Sequence, residues 1–307
     1  MDTPYVQANT NGTLHDAATP GLAPLDRGFL YGDAVYEVWR TYGGVVFAFD
    51  EHLERLQRSA AALALTLPFD RETLVAEIRR TTAAFVEHTG HVGPLYLRLQ
   101  VTRGGGVIGL DVELADRPTF VLLVQKLRLP PPEKLRTGLV LSVARELRRN
   151  PCDSLDPAWK TGNYLNNLLC LREARSRGAD EVVMLNHAGR ITEAAVSNLF
   201  FVRRNAIVTP PLSAGLLGGI TRALVLERIA PRIGVTALEE EVAPADLRFF
   251  DGAFLTSTTK DLGPVARIDD CTFPVDDSAL MWKLKAAFEN FASEYAAAHP
   301  ELRVNGG

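Results

Sequence analysis

The sequence predicts two α/β domains whose sheets are mixed and largely antiparallel, an α+β arrangement in the broad sense. Three observations predict it. Strand-like runs early in the chain are joined by short Gly-containing turns, as antiparallel neighbours require. Helical periodicities fall between groups of strands rather than after every strand, which argues against a doubly wound nucleotide-binding sheet. LPPPE, Leu129–Glu133, breaks the chain with three consecutive prolines, which favour an extended, semi-rigid connection and exclude a helix. The expected division is a domain at residues 1–127, a linker at 128–137 and a larger domain at 138–307.

Tyr5–Leu14 reads as a hairpin around Asn11-Gly12, a pair that tolerates positive φ. Val35–Arg40 and Val45–Phe49 flank Gly43-Gly44 and read as a second hairpin. Asp50 is the expected N-cap of a helix carrying Leu53, Leu56, Ala60 and Leu63 at helical spacing. Asp70 opens the next helix, with Leu74, Ile78 and Phe85. In Pro94–Thr102, Leu95, Leu97, Leu99 and Val101 alternate with Tyr96, Arg98, Gln100 and Thr102, giving one apolar and one polar strand face. Pro118–Leu127 reads as a mostly buried strand.

Beyond the prolines, Leu139–Ala144 is an expected strand and Asn163–Arg177 a helix stopped by Gly178. Glu181–Leu185 and Asn198–Val202 read as strands around a turn containing Gly189. Gly218-Gly219 precedes a helix from Ile220 to about Ile229. Phe254–Thr256 is a short strand and Leu280–Tyr295 a closing helix.

Composition narrows the function classes. The chain is 47% hydrophobic and 23% charged, too apolar for general disorder. No apolar run approaches the roughly 18 residues that span a bilayer, and MDTPYVQANT shows neither the basic nor the apolar region of a signal peptide. A net charge of −4 gives no broad footprint for nucleic acid or an anionic membrane. Cys152, Cys170 and Cys271 are odd in number and far apart, which fits a reducing cytoplasm and no disulfide framework. The six histidines show no HxxxH or HExxH spacing, so no metal site is expected. Neither a GxSxG elbow nor a GxxxxGK[ST] phosphate loop is present.

Several stretches carry chemistry instead. In SLDPAWKTGNYLNN, Lys160 sits between a Pro-containing loop and a helix start. Position alone describes a solvated lysine; desolvated at the rim of a cleft, it would be an amine nucleophile. Gly218-Gly219-Ile220-Thr221-Arg222 opens a helix, where free N–H groups and a hydroxyl favour an anion. Thr256-Ser257-Thr258-Thr259 clusters hydroxyls after a strand, suited to a phosphate or to a plain polar turn. Glu193, among Ile, Ala and Val in ITEAAVSNLFFV, is expected to be an interior carboxylate that needs a cationic partner. Arg55, in EHLERL, reads by itself as a surface partner of Glu51. Gly104-Gly105-Gly106 reads as a flexible loop near a site.

Together and in order, these pieces resemble the class IV (fold-type IV) pyridoxal-phosphate aminotransferases. That family includes branched-chain aminotransferases, D-amino-acid aminotransferases, aminodeoxychorismate lyases and (R)-selective amine transaminases. The signposts are DRGFLYGDAVYEV, DEHLERL, YLRLQVTRG, PAWKTGNYLNN, ITEAAVSNLFFV, GGITR and TSTTKDLGPV, running from about Asp26 to Val265.

The resemblance implies pyridoxal 5′-phosphate as cofactor, with Lys160 as the lysine that bonds to it. Glu193 then faces the pyridine nitrogen and Tyr164 the phenolic oxygen. Arg55, the Gly219–Thr221 backbone at Ile220, the Thr221 hydroxyl, Ser257 and Thr258 form the phosphate grip. Asn198, in the S-N-[IL]-F signature, stands behind it.

Expected substrate contacts are Tyr36, Val38 and Arg40 on one strand face, with Tyr96 and Arg98 as carboxylate binders and Thr259 nearby. Tyr31 and the Gly104–Asp111 loop are expected to reach a neighbouring subunit, implying a homodimer. YLR and GLD resemble the branched-chain enzymes; Tyr36 and Val38 resemble the D-amino-acid enzymes. The implied reaction moves an amino group from an α-amino acid to 2-oxoglutarate or another 2-oxo acid. D-amino-acid transamination is the close alternative; aminodeoxychorismate lyase, (R)-amine transaminase or a non-catalytic cofactor binder are further ones.

Overall fold

A computed structural model describes residues 4–115, 117–276 and 279–306. Contacts divide the chain into two compact units. The first comprises residues 1–128, 159–163 and 292–307; the second, 129–158 and 164–291.

The first unit is a sheet backed by two helices. Strands β1 (Gln7–Thr10), β2 (Thr13–Asp16), β3 (Ala34–Tyr42), β4 (Val45–Val46), β5 (Leu95–Thr102) and β6 (Thr119–Lys126) pair antiparallel in the order β2-β1-β6-β5-β3-β4. Asn11 and Gly12 turn the first hairpin with φ of 47° and 85°, as the Asn-Gly pair predicts. Alternation on β5 holds: Leu95, Leu97, Leu99 and Val101 are fully buried. They pack under α2 (Phe49–Ala62) and α3 (Arg71–Thr89), whose Leu53, Leu56, Leu74, Ile78 and Phe85 complete the core with Trp39. β6 buries Phe120, Leu122 and Val124 on this face, while Val121 and Leu123 are only partly buried on the other. The sheet is therefore apolar beneath and polar above, and the polar face stays available for chemistry. A short helix α1 (Arg27–Tyr31) leads into β3.

Two helix starts divide the expectations. Asp70 caps α3, its carboxylate accepting from the Thr73 amide at 2.8 Å. Asp50 does not cap α2. Ala48 holds the cap position in a left-handed conformation, because burial of Phe49 begins the helix two residues earlier. Asp50 falls in the first turn, where it complements the helix dipole and pairs with Arg71 at 2.6 Å.

Two later segments belong with this unit rather than with residues 138–307. Thr161 bridges Val35, and the Tyr36 amide donates to the Lys160 carbonyl at 3.0 Å, so 159–163 lie along β3. Residues 292–307 join the core through Tyr295, edge-on to Phe47 at 5.0 Å, and through buried Leu302.

The second unit begins with a helix that the prolines were expected to exclude: α4 (Pro132–Thr137) starts on the third proline. A first-turn residue has no intrahelical acceptor for its N–H, so proline loses nothing there. Strands β7 (Leu139–Val143), β8 (Glu181–Val183), β9 (Asn198–Arg203), β10 (Ala206–Thr209), β11 (Thr236–Glu239), β12 (Gly252–Ser257), β13 (Asp261–Ile268) and β14 (Cys271–Thr272) form a mixed sheet. Its order is β11-β10-β9-β12-β13-β7-β8, with β14 on β13. α5 (Leu165–Ser176) sets Cys170 and Ala174 against Val182 and Met184, and Gly178 follows its end with φ 79°. β8 and β9 do not pair around Gly189; β8 runs parallel to β7, and the turn is closed by a bridge between Leu185 and Ile191 and by backbone bonds from Met184 and Asn186 to residues 190–193.

α6 (Ile220–Leu224) continues through a widened turn at Val225–Ile229 into α7 (Ala230–Arg232). Pro231 cannot donate to the preceding turn, which accounts for the irregularity. α8 (Leu280–Ala298) closes the chain with Leu284, Phe288, Ala292 and Ala296 buried along one stripe.

Candidate active site

On the polar face of the first unit's sheet, Tyr36 is 5% exposed and opposite Gln100, while Val38 is opposite Arg98 and Arg40 opposite Tyr96. Lys160 meets this face. Its Nζ donates to the Tyr36 hydroxyl at 3.2 Å and lies 4.3 Å from the ring centroid. The Arg98 guanidinium stacks on the same ring at 4.0 Å and donates to the Gln100 side chain at 3.2 Å. Two cationic side chains thus share one aromatic ring. Backbone contacts fix the lysine: its amide donates to Ser59 Oγ at 3.0 Å and its carbonyl accepts from Tyr36. Arg40 stacks on Tyr42 at 4.2 Å. A cavity of about 340 Å³ opens on the same face beside Arg98, Gln100 and Leu123.

Beneath this face lies a buried charge cluster. Period-two alternation turns Glu37 inward with Val35 and Trp39, and its side chain has no exposure. Arg55 Nε and Nη2 donate to its two oxygens at 2.7 and 2.8 Å, and His52 Nδ1 approaches at 2.7 Å. Burial by itself would raise the Glu37 pKa; the charge of Arg55, then of His52, outweighs it and holds the carboxyl well below its usual range. Burial depresses His52, with Glu37 pulling the other way. Arg55 is therefore a buried ion-pair partner of Glu37, 6% exposed, rather than a surface partner of Glu51.

Tyr31 belongs to a different corner of this unit. Its hydroxyl accepts from the Gly109 amide at 3.2 Å, while Arg27 donates to the Gly109 carbonyl at 2.7 Å. Around this pinned loop, Phe29, Val107, Ile108 and Leu110 are 69–80% exposed.

In the second unit, Glu193 has its cation. Arg149 Nε donates to Glu193 Oε1 at 2.8 Å, with the two side chains 11% and 7% exposed. The Leu217 amide donates to Oε2 at 3.2 Å. The Leu217 carbonyl in turn accepts from Asn198 Nδ2 at 2.8 Å. The strand start and the segment before α6 are thereby tied to one carboxylate.

Asn198 Oδ1 lies against Gly219: a Cβ there would sit 2.0 Å from it, so a larger residue would displace the Asn198 side chain. Gly219 caps α6 with no side-chain hydrogen bond, and Thr221 is 5% exposed in the first turn, beside half-buried Ile220. Across β9 and β12, Asn198 is opposite Thr256, whose buried hydroxyl has no hydrogen-bond partner among the described residues. Ser257 Oγ accepts from the Lys260 amide at 3.2 Å, closing a turn that carries half-buried Thr258 and Thr259. Tyr164 precedes α5 and is half-buried.

The candidate residues thus gather in two sets. Tyr36, Val38, Arg40, Tyr96, Arg98 and Lys160 share the first unit's polar face. Glu193, Asn198, Gly219, Thr221 and the Ser257–Thr259 turn lie around the start of β9 and the end of β12. Glu37, His52, Ser59 and Arg149 were not among the residues singled out from sequence. Two signals pointed to the first three, a carboxylate at an apolar strand position and His52, Arg55, Leu56 and Ser59 on one helical stripe, whereas nothing in the sequence pointed to Arg149.

The family model described as amino-transferase class IV matches residues 34–268. The chain belongs to the class IV aminotransferases. These are pyridoxal-phosphate-dependent enzymes, with Lys160 and Glu193 both inside the matched span. This aminotransferase is 34% identical over 259 residues to a putative branched-chain-amino-acid aminotransferase of Methanocaldococcus jannaschii, covering 84% of this chain and 86% of the relative. It is 31% identical over 262 residues to a D-alanine aminotransferase of Bacillus licheniformis, covering 85% and 88%. Among solved structures, the branched-chain aminotransferase of Thermoproteus uzoniensis with norvaline superposes at a TM-score of 0.84, with 28% identity and 96% and 98% coverage. The mixed α/β architecture is that of the fold-type IV enzymes.

Proposed function

We propose that this aminotransferase is of the branched-chain-like kind, moving the amino group of an α-amino acid to a 2-oxo acid such as 2-oxoglutarate. The observation that carries the reading is the Tyr36 ring shared by the Lys160 amine and the Arg98 guanidinium. It sets a proton-transfer group beside a carboxylate-binding group on one rigid strand face, as an α-amino acid requires.

Bound pyridoxal phosphate supplies the electron sink that makes the substrate α-hydrogen acidic. Lys160 would hold the cofactor through its Nζ, and that nitrogen would take and return the α-proton. The Tyr36 hydroxyl holds that nitrogen in place. Arg98, with Tyr96 on the same face, binds the substrate carboxylate. Val38 and Arg40 line the substrate's approach, with Thr259 assigned to the substrate as well.

The second unit's donors suit the rest of the cofactor. The orphaned Thr256 hydroxyl, the cradle at Gly219 and the uncapped start of α6 match what a phosphate dianion needs. Ile220, Thr221, Ser257 and Thr258 would grip it, with Arg55 supplying charge. Glu193 would hold a proton on the pyridine nitrogen, and Tyr164 would donate to the phenolic oxygen.

A homodimer belongs to the same proposal. The exposed apolar side chains beside Tyr31 and the Gly109 loop form a surface suited to a second copy. A cytoplasmic setting is supported by three cysteines without a disulfide.

Tyr36 and Val38 favour a second reading, D-amino-acid transamination, since Val38 takes up space where glycine is usual in branched-chain enzymes. Half-reaction rates with L-leucine, D-alanine and (R)-1-phenylethylamine, followed by the cofactor spectrum, separate these readings. L-leucine should react fastest. A faster reaction with D-alanine selects the second reading, and pyruvate release without an amino acceptor would assign a lyase.

A further inference from the structure

Glu193 is held by groups from three places in the second unit. Arg149 leads from the segment after β7, where its amide donates to the Leu185 carbonyl at 2.8 Å. The Met184 amide donates to the Glu193 carbonyl at 2.8 Å, so the two backbones are braced on adjacent residues. Leu217, before α6, supplies the amide on Oε2. The guanidinium reaches the carboxylate through Nε, whereas Arg55 holds Glu37 through both Nε and Nη2.

We propose that Arg149 is a positioning residue that keeps Glu193 an anion and so keeps the cofactor's ring nitrogen protonated. The inference rests on the reading that Glu193 faces that nitrogen. A carboxyl group beside a pyridine has two arrangements. As an anion it accepts a hydrogen bond from a protonated ring nitrogen. As a neutral acid it donates to an unprotonated one, and the ring is then a weaker electron sink.

Burial favours the neutral acid, because an isolated charge is costly to desolvate. A guanidinium at 2.8 Å, itself 11% exposed, reverses that balance. The charge on Arg149 thus decides on which atom the shared proton rests. No bond to the cofactor from Arg149 itself is required.

The test is nitrogen NMR of the holoenzyme reconstituted with ring-¹⁵N pyridoxal phosphate. Wild-type protein should show the resonance of a protonated pyridine nitrogen. Arg149→Gln, which keeps an N–H donor and loses the charge, should move it towards the unprotonated position. Arg149→Lys, which keeps the charge, should leave it near wild type. Glu193→Gln should move it regardless of Arg149.

If Glu193→Gln shifts the resonance and Arg149→Gln does not, Arg149 is merely structural and the proposal is overturned. If Glu193→Gln shifts nothing, Glu193 does not face the ring, and the proposal falls with that reading. Should the Gln protein not fold, the Lys arm still decides: a displaced resonance in folded Arg149→Lys holoenzyme overturns the role assigned to charge.

Discussion

Glu37 in the first unit and Glu193 in the second are both buried carboxylates facing a guanidinium, yet their surroundings differ in kind. Glu37 has no exposure and is enclosed by side chains of the neighbouring helix, with Arg55 on two points and His52 on a third. Those partners sit at i and i+3 on α2, so one helix face supplies the whole cage. Glu193 is bound by a guanidinium and a backbone amide that both come from loops. The difference teaches that the same charge pair serves two ends. Caged by a helix, it fastens strand to helix. Held by loops, it fastens the turn before β9 to the segment before α6.

The largest effect expected concerns neither pair, but calibrates both. Lys160→Ala should cost at least the roughly 10²–10⁴-fold that a positioned acid–base group contributes, and should abolish covalent cofactor attachment on borohydride reduction. Transamination retained in that variant would leave the polar face of the first unit without its chemistry.

Glu37→Gln strands a buried guanidinium and should lower unfolding free energy by about 3–5 kcal/mol, read from the denaturant midpoint. Glu193→Gln should instead keep the fold and the bound cofactor while slowing the half-reaction by roughly 10²–10³-fold, the scale of a lost electrostatic contact at a reacting group. Equal losses of stability in the two variants would erase the distinction.

Smaller effects sharpen it. Arg98→Ala removes a charge-assisted contact of about 1.5–3 kcal/mol, and should raise KM for α-amino acids by about ten- to a hundredfold. Simple amines, having no carboxylate, should be unaffected; an equal rise for both would remove Arg98 from that role.

The smallest effect is one of pH. Burial lowers the His52 pKa below its ordinary 6.5. Below about pH 6.5 the unfolded chain therefore binds a proton that the folded protein resists, and stability present above that pH declines as acid is added. Glu37, depressed from 4.5, adds a second decline further into acid. His52→Gln should flatten the first decline in denaturant midpoints measured from pH 7 downward and weaken the second, which Arg55 still maintains.

Much of the site was legible because its motifs are local. PAWKTGNYLNN and GGITR each lie within one loop and the start of one helix, and the alternation in YLRLQVT sorts Tyr96 and Arg98 onto a face without any tertiary knowledge. Glu193 also announced a need for a cation, since a carboxylate among Ile, Ala and Val has few other solutions. Its supplier was not legible. Arg149 stands 44 residues away in a segment with no periodicity, next to Arg148, which bonds backbone carbonyls instead. Asp50 misled for a related reason. Cap preferences rank side chains, whereas the start of α2 was decided by burial of Phe49 and the left-handed turn at Ala48.

The sequence by itself determined the helices and strands with strong periodicity, the inward and outward faces of β5, and the ordered motifs that place the chain among the class IV aminotransferases. Those follow from sterics and hydrogen bonding within a few residues, which act wherever the segment lies. Only the tertiary structure decided that residues 159–163 lie along β3, that Lys160 reaches Tyr36, and that Arg149 rather than its neighbour meets Glu193. Such pairings depend on where distant parts of the chain are brought by packing, and a linear order of residues carries no distance between them.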